Sequence, residues 1–267
     1  MTSAEYAALP GITATAIKAG RKSMAHMRVA MLDDRTGAGS AAMRFGSLAH
    51  MALLEPVRFA GSVAVWTGGR RAGKIWDAWE IENADKEQVT PGELDTLHAM
   101  QTASRADMHA RFALAQASEF ERIIQWHDAV IGDCKARLDG SGPSAVVEYK
   151  TAREITPRRF LSAAEGMGYT LQLAWYWHAA GRPANMWLVS QETVAPYCCV
   201  TYNISANLLQ SAYEECETIA LRYRACESVN SFPGPCDTVQ QWERPAWATS
   251  DGGEVDVSTG TMEASEL

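Results

Sequence analysis

A chain of 267 residues, 47% of them hydrophobic, can bury a sizeable core, and it contains no apolar run long enough to span a bilayer. Its formal charge of −8 argues against a nonspecific nucleic-acid coat, which needs clustered Lys and Arg, but allows a local basic channel beside metal-holding carboxylates. Six cysteines form no Cys-x-x-Cys pair, which indicates neither a zinc ribbon nor a redox motif and leaves them as buried or incidental thiols.

The amino terminus, MTSAEYAALPGITATAIKAG, has no basic start followed by an apolar block, so a cytoplasmic protein is expected. Further on, AAMRFGSLAHMALLEP carries apolar residues at helical spacing and predicts a helix ending near Leu54 or Glu55, ahead of Pro56. Residues 62–67 read as a strand, and Thr90-Pro91-Gly92-Glu93 supplies a cap, a first-turn proline and a capping-box Glu for a helix running to about Ala117. The period then changes. Three β-rich runs, from about Ile123 to Val130, Cys134 to Leu138 and Ala145 to Thr151, are separated by Gly132 and by Gly140-Ser141-Gly142-Pro143, as in an antiparallel meander.

Thr156-Pro157 repeats the cap-plus-proline signal for a helix starting near Arg158, and Tyr169 to about Ala180 reads as a second helix. Residues 185–191 and 197–202 look like strands, and Ala206 to about Val229 like a long helix. This order predicts an α+β or mixed α/β fold around one central mixed sheet flanked by helices. One domain over 1–245 is expected, with a helical part at 1–118 and the core sheet and helices at 119–245, followed by an acidic tail at 246–267 that is poor in core-forming residues.

The segment KARLDGSGPSAVVEYKTA carries the chemistry. Residues i and i+2 of a strand share a face, so Glu148 and Lys150 point one way and Val147 and Tyr149 the other. A hairpin from Leu138 to Ala145 brings Asp139 alongside. Two carboxylates and an ammonium then converge. Carboxylates are the hard ligands that Mg²⁺ takes, and a lysine can orient water and offset charge on phosphoryl oxygens. The same pattern also fits a turn aspartate and the solvated face of an edge strand.

Two basic groups lie beside it. Gly68 to Lys74 fits G-x-x-x-x-G-K, but Ile75 stands where a nucleotide-binding loop needs Ser or Thr, so Arg70, Arg71 and Lys74 read as a basic loop for phosphates or as a solvated loop. Arg153, Arg158 and Arg159 flank the start of the helix after the motif strand, where exposed N–H groups favour an anion.

The span from about Leu9 to Ala180 resembles the RecE-like branch of the lambda-type phage recombination exonucleases within the PD-(D/E)xK superfamily. The matching pieces are FGSLAHMALLEP, RRAGKIWDAWE, EFERIIQWHD, CKARLDG, VVEYKTA and YTLQLAWYW, in that order. The resemblance implies a restriction-endonuclease-like core with Asp139 and Glu148 as metal-binding acids, joined by the main-chain carbonyl of Tyr149. It makes Lys150 the motif lysine and Gln172 the glutamine on the following helix. His50, four residues after Gly46, resembles the Gly-x-x-x-His element of RecB-type nucleases and implies a further metal ligand. Among Glu119, Glu121 and Asp128 the family pattern implies an accessory acid, which Glu121 matches best, and Leu138 replaces the proline of the superfamily's name.

The implied activity is Mg²⁺-dependent, with Mn²⁺ able to substitute. It is 5′→3′ degradation of linear double-stranded DNA to mononucleotides, leaving 3′ single-stranded tails. The implied partners are DNA ends, a single-strand annealing protein and further copies of the chain in a ring-shaped homo-oligomer, with no membrane. A phage- or prophage-encoded protein in a bacterial cytoplasm is the implied setting. Rival readings are a RecB-like or Cas4-like nuclease of different polarity, though the iron–sulfur cysteines of the latter are absent, a non-catalytic DNA-binding protein on a nuclease fold, and a nucleotide switch built on the Gly68 loop.

Overall fold

The computed structural model describes residues 3–32 and 40–242. The chain divides into two compact units, Met1–Pro235 and Cys236–Leu267, the second described only over 236–242. The expected acidic tail at 246–267 lies outside the described residues.

The first unit opens with helices α1 (Ser3–Ala8), α2 (Ala14–Lys22), α3 (Met24–Leu32), α4 (Ala41–Leu54) and α5 (Pro56–Ser62). A short parallel pair, β1 (Val63–Val65) and β2 (Glu87–Val89), brackets α6 (Lys74–Glu82). Next come α7 (Pro91–Ala106) and α8 (Met108–Leu114), and then the main sheet begins with β3 (Glu119–Asp128), β4 (Gly132–Ser141) and β5 (Ala145–Ala152). Helices α9 (Pro157–Gly166) and α10 (Tyr169–Ala179) lead to β6 (Asn185–Glu192) and β7 (Cys199–Asn203), and α11 (Ala206–Ser228) closes the unit. The five strands run in order β3-β4-β5-β6-β7, with β5 and β6 parallel and every other neighbouring pair antiparallel. A parallel neighbour needs a long crossover, which α9 and α10 supply. The expected mixed sheet flanked by helices is the architecture observed.

Both faces of the sheet are covered. Ala136, Leu138, Val146 and Leu188 pack with α2, α3, α10 and α11, whereas Val147, Tyr149 and Val189 pack with α4, α7 and α8. Alternation along β5 therefore sends odd-numbered side chains into one core and even-numbered ones toward α10. Trp175 and Trp177 are buried core residues, as their turn away from Gln172 on α10 predicts.

Caps read from the sequence hold where the local chemistry is complete. Thr90 and Glu93 form the reciprocal capping box. The single helix expected from there to Ala117 breaks at Asp107, which ends α7 and accepts the Ala110 N–H at 2.7 Å to cap α8. All six cysteines are free thiols, Cys134 and Cys216 buried. No helix among the described residues is long and apolar enough to cross a membrane.

Candidate metal and catalytic site

The site sits where the sheet comes apart. β4 and β5 pair only at Gly140↔Val147 and Ser141↔Val146, and beyond those positions the strands diverge. Tyr149 has then lost its ladder partner on that side, and the Asp139 carboxylate takes its place, with Oδ2 accepting the Tyr149 N–H at 2.9 Å. A buried backbone donor needs such a partner, so the strand split and the side chain at 139 are one structural solution.

α4 reaches this split from one face of the sheet. Gly46 packs so near β5 that a Cβ there would meet Thr151 Oγ1 at 3.3 Å, and one turn later His50 lies with Nδ1 3.4 Å from Asp139 Oδ2 and its ring edge-on to Tyr149. The Gly-x-x-x-His spacing thus has a mechanical meaning: a residue without a side chain lets the helix approach, and the histidine one turn on meets the acid.

Glu121 arrives by a distortion of β3. Phe120 pairs with Gly140 and Arg122 with Leu138, but Glu121 has φ +52 and stands opposite Asp139 without a ladder pair. A non-glycine residue held there stores about 1–3 kcal/mol, and such strain concentrates at functional sites. The Glu121 carboxylate contacts Arg137 Nε at 3.1 Å. One ligand atom each from His50, Glu121 and Asp139 lies within 4.8 Å of the others, so three potential donors from α4, β3 and β4 meet at one point.

From the other face come Glu148, Lys150 and Gln172. Glu148 is 1% exposed, and its Oε1 accepts from Lys150 Nζ and, at 2.7 Å, from Gln172 Nε2. Its Oε2 is buried and has no hydrogen-bond partner among the described residues. A buried carboxylate oxygen left bare is costly. Glu148 stands outside the close group of His50, Glu121 and Asp139 but near enough to feel the charges of Asp139 and His50, and the chemistry of these side chains fits a divalent cation: the carboxylate oxygens suit Mg²⁺, and one nitrogen among them also suits Mn²⁺.

The electrostatics match. Burial and the nearby Asp139 charge raise the Glu148 pKa to about 7. Burial also works against an ionised Asp139, but His50 and Lys150 outweigh it and hold that carboxyl well below the usual range. For His50 and Lys150 burial opposes the charged form, yet Asp139 on the first and Glu148 on the second leave both raised. Two neighbouring buried acids with opposite shifts are the pattern expected of a working site.

The structure therefore brings His50, Glu121, Asp139, Glu148, Lys150 and Gln172 together. Tyr149 enters through its N–H, with its ring in the core behind. The expected phosphate ligands lie apart from this cluster in role. Arg71 turns back onto Gln88 O at 3.1 Å and Glu93 Oε2 at 3.4 Å, and stacks on Trp76, so it ties the loop down. Arg70 and Lys74 are exposed beside it. Gly68 rides on Trp66, where a Cβ would come within 2.3 Å of the ring. Arg159 faces Glu154 at 3.7 Å, and Arg153 and Arg158 are exposed. At the start of α9 Glu154 itself takes the Thr156 N–H at 2.9 Å, so the chain's own carboxylate meets part of the anion preference expected there.

Two side chains at the site escaped the sequence reading. Tyr176, whose hydroxyl accepts from Gln172 Nε2 at 3.2 Å, lies four residues after Gln172, a spacing that places both on one helix face. Lys18, whose Nζ donates to Gln172 Oε1 at 2.9 Å, lies 154 positions away, and no local signal marks it.

With this geometry stands a family match. Residues 13–245 match the model of a PDDEXK-like domain of unknown function, DUF3799. The chain belongs to this family. Among solved structures it is similar to a candidate exonuclease from Eubacterium rectale, with 14% sequence identity, a TM-score of 0.62, and 94% of this chain and 98% of that chain covered. It is also similar to LHK-Exo in complex with dAMP, with 15% identity, a TM-score of 0.41, and 82% and 91% of the two chains covered. No curated protein matches the chain. Family and fold together support a nuclease of the PD-(D/E)xK kind.

Proposed function

We propose that this protein is a Mg²⁺-dependent exodeoxyribonuclease that degrades linear double-stranded DNA 5′→3′ to mononucleotides, leaving 3′ single-stranded tails for recombination. The observation that carries the reading is the half-partnered Glu148, set beside Asp139 and Lys150 at the split between β4 and β5. In this reading His50, Asp139, Glu148 and the Tyr149 carbonyl hold the ion, with Glu121 as accessory acid. When bound, the ion supplies Lewis-acid neutralisation of the phosphoryl oxygens and activation of water.

The chain's own groups have separate tasks. Lys150 holds its proton, fixes Glu148 Oε1 and presents an ammonium to the charge that develops on the phosphate. Gln172 gives Glu148 a second donor, so the carboxylate is kept in one orientation. His50 and the Tyr149 N–H do the same for Asp139. Arg70, Lys74, Arg153 and Arg158, with Arg71 and Arg159 once freed from their carboxylates, would grip the DNA backbone. The resemblance to RecE-like exonucleases supports the polarity, a ring-shaped homo-oligomer around DNA, a single-strand annealing partner, and a phage- or prophage-encoded protein of the bacterial cytoplasm.

Digestion of linear duplex DNA labelled at either the 5′ or the 3′ end, with Mg²⁺, Mn²⁺ or EDTA, tests this. The expected result is divalent-dependent early release of the 5′ label as mononucleotide, abolished by Lys150→Ala. Early 3′ release or internal cuts would discard the polarity, and no hydrolysis by folded protein with either ion would discard the enzyme.

A further inference from the structure

Lys18 lies on α2, half-buried, and reaches the site through Gln172. Its path is built. Gly168, the N-cap of α10, has φ +68, and a Cβ there would meet Lys18 Cγ at 3.0 Å, so the missing side chain at 168 is what lets the lysine stem pass. At the end of that path Nζ donates to Gln172 Oε1 at 2.9 Å and lies 5.7 Å from the centre of the Tyr169 ring, on which Lys150 also sits, at 5.4 Å.

The chemistry of the contact is one-sided. An ammonium donates and never accepts, so Lys18 forces the carbonyl end of the Gln172 amide toward itself. The amino end then has to face Glu148 Oε1, at 2.7 Å, and Tyr176 Oη, at 3.2 Å. With the amide turned the other way its oxygen would face a carboxylate. Oε1 of Glu148 is thereby occupied from Gln172 and from Lys150, and Oε2 alone is left without a partner.

We propose that Lys18 is a positioning residue that acts through Gln172 to fix which oxygen of Glu148 is offered to a divalent cation. The inference rests on reading Glu148 as a metal-binding acid. It adds a part that the motif strand does not contain, a hold on the acid's orientation that reaches it from α2 and joins the one from Lys150. Residues that orient ligands from behind are commonly worth about ten- to a hundredfold in metal affinity or activity.

The test uses the full-length protein. Mn²⁺ and Mg²⁺ affinities are measured by calorimetry without DNA, and kcat and KM on end-labelled linear duplex. Lys18→Met should weaken the cation about tenfold or more and lower kcat with KM for DNA unchanged, while Lys18→Arg, which keeps a donor and no acceptor, should restore most of both. In a Gln172→Ala background Lys18→Met should change nothing further. Lys18→Ala, a good helix former on α2, carries the same expectations should the methionine variant not fold. A raised KM with unaltered cation affinity would make Lys18 a phosphate contact and overturn the proposal, as would losses that add in the double variant. A wild-type chain that binds Mn²⁺ but cleaves nothing sinks the nuclease reading while the affinity comparison still decides the role of Lys18. A wild-type chain that cleaves with no Lys18 effect sinks this inference alone.

Discussion

Adjacent strands carry two buried polar groups with opposite fates. On β6, Gln191 is fully buried and fully used: Oε1 accepts from Ser104 Oγ at 2.7 Å and from the Tyr149 hydroxyl, and Nε2 donates to Met100 O at 2.8 Å and Tyr197 O at 3.1 Å. On β5, Glu148 is as deeply buried, with one oxygen used twice and the other not at all. The first group is architecture, tying α7 to the sheet. The second leaves a carboxylate oxygen bare, a costlier orphan than the hydroxyls and indole N–H groups also left bare, and it does so beside the acids and histidine of the candidate site.

The sharpest way to break the comparison is to neutralise each group in turn. Glu148→Gln should cost at least about a hundred- to a thousandfold in nuclease rate, while thermal melts of the metal-free protein stay where they are or rise. Gln191→Leu should do the reverse. It strips a hydrogen bond each from Ser104, the Tyr149 hydroxyl, Met100 O and Tyr197 O, at about 3 kcal/mol, lowering Tm by roughly 6–12 °C, and the folded remainder should still cleave.

A finer test uses pH. Glu148, raised from an ordinary 4.5 to about 7, contributes stability to the metal-free protein that is whole below pH 4.5 and lost as pH rises through 7. Glu93 has the opposite sign. Burial works to raise it, but the Thr90 N–H and Arg44 leave it lowered from 4.5, so its contribution is whole above pH 4.5 and lost as pH falls below that. Plotted against pH, the Tm difference between wild type and Glu148→Gln should therefore grow from pH 4.5 to 7, and that between wild type and Glu93→Gln should shrink below pH 4.5. Parallel lines would refute the assignment of either group. The smallest effect belongs to the basic loop. Arg70→Ala should reduce the salt dependence of DNA binding by about one ion at unchanged stability, whereas Arg71→Ala, which cuts the loop from Gln88 and Glu93, should lower stability by about 1 kcal/mol.

What could be read from the sequence follows from how far each signal reaches. Glu148 and Lys150 were legible because a strand repeats every two residues, and the sheet around them because Gly, Pro and cap residues punctuate it. The break at Asp107 was hidden because RADMHA continues a helical pattern, and only the cap geometry shows one helix handing over to the next. β2 is three residues long, too short to carry a period. Glu121 was legible as an acid in the right stretch, but not its positive φ, which comes from β3 stepping past Asp139. Lys18 was invisible, because the sequence says nothing of which helix will lie beside α10.

α10 has one more consequence. With few ladder bonds joining β4 to β5, α10 also ties the two together: Trp175 Nε1 on α10 donates to Lys135 O on β4 at 3.1 Å, while Gln172, three residues earlier on the same helix, bonds Glu148 on β5. The helix is the gauge block of the site, a single rigid part that sets the clearance between the jaws carrying Asp139 and Glu148. A thicker side chain at the wholly buried Ala174, in the core behind the site, would re-cut that clearance and detune the site from behind.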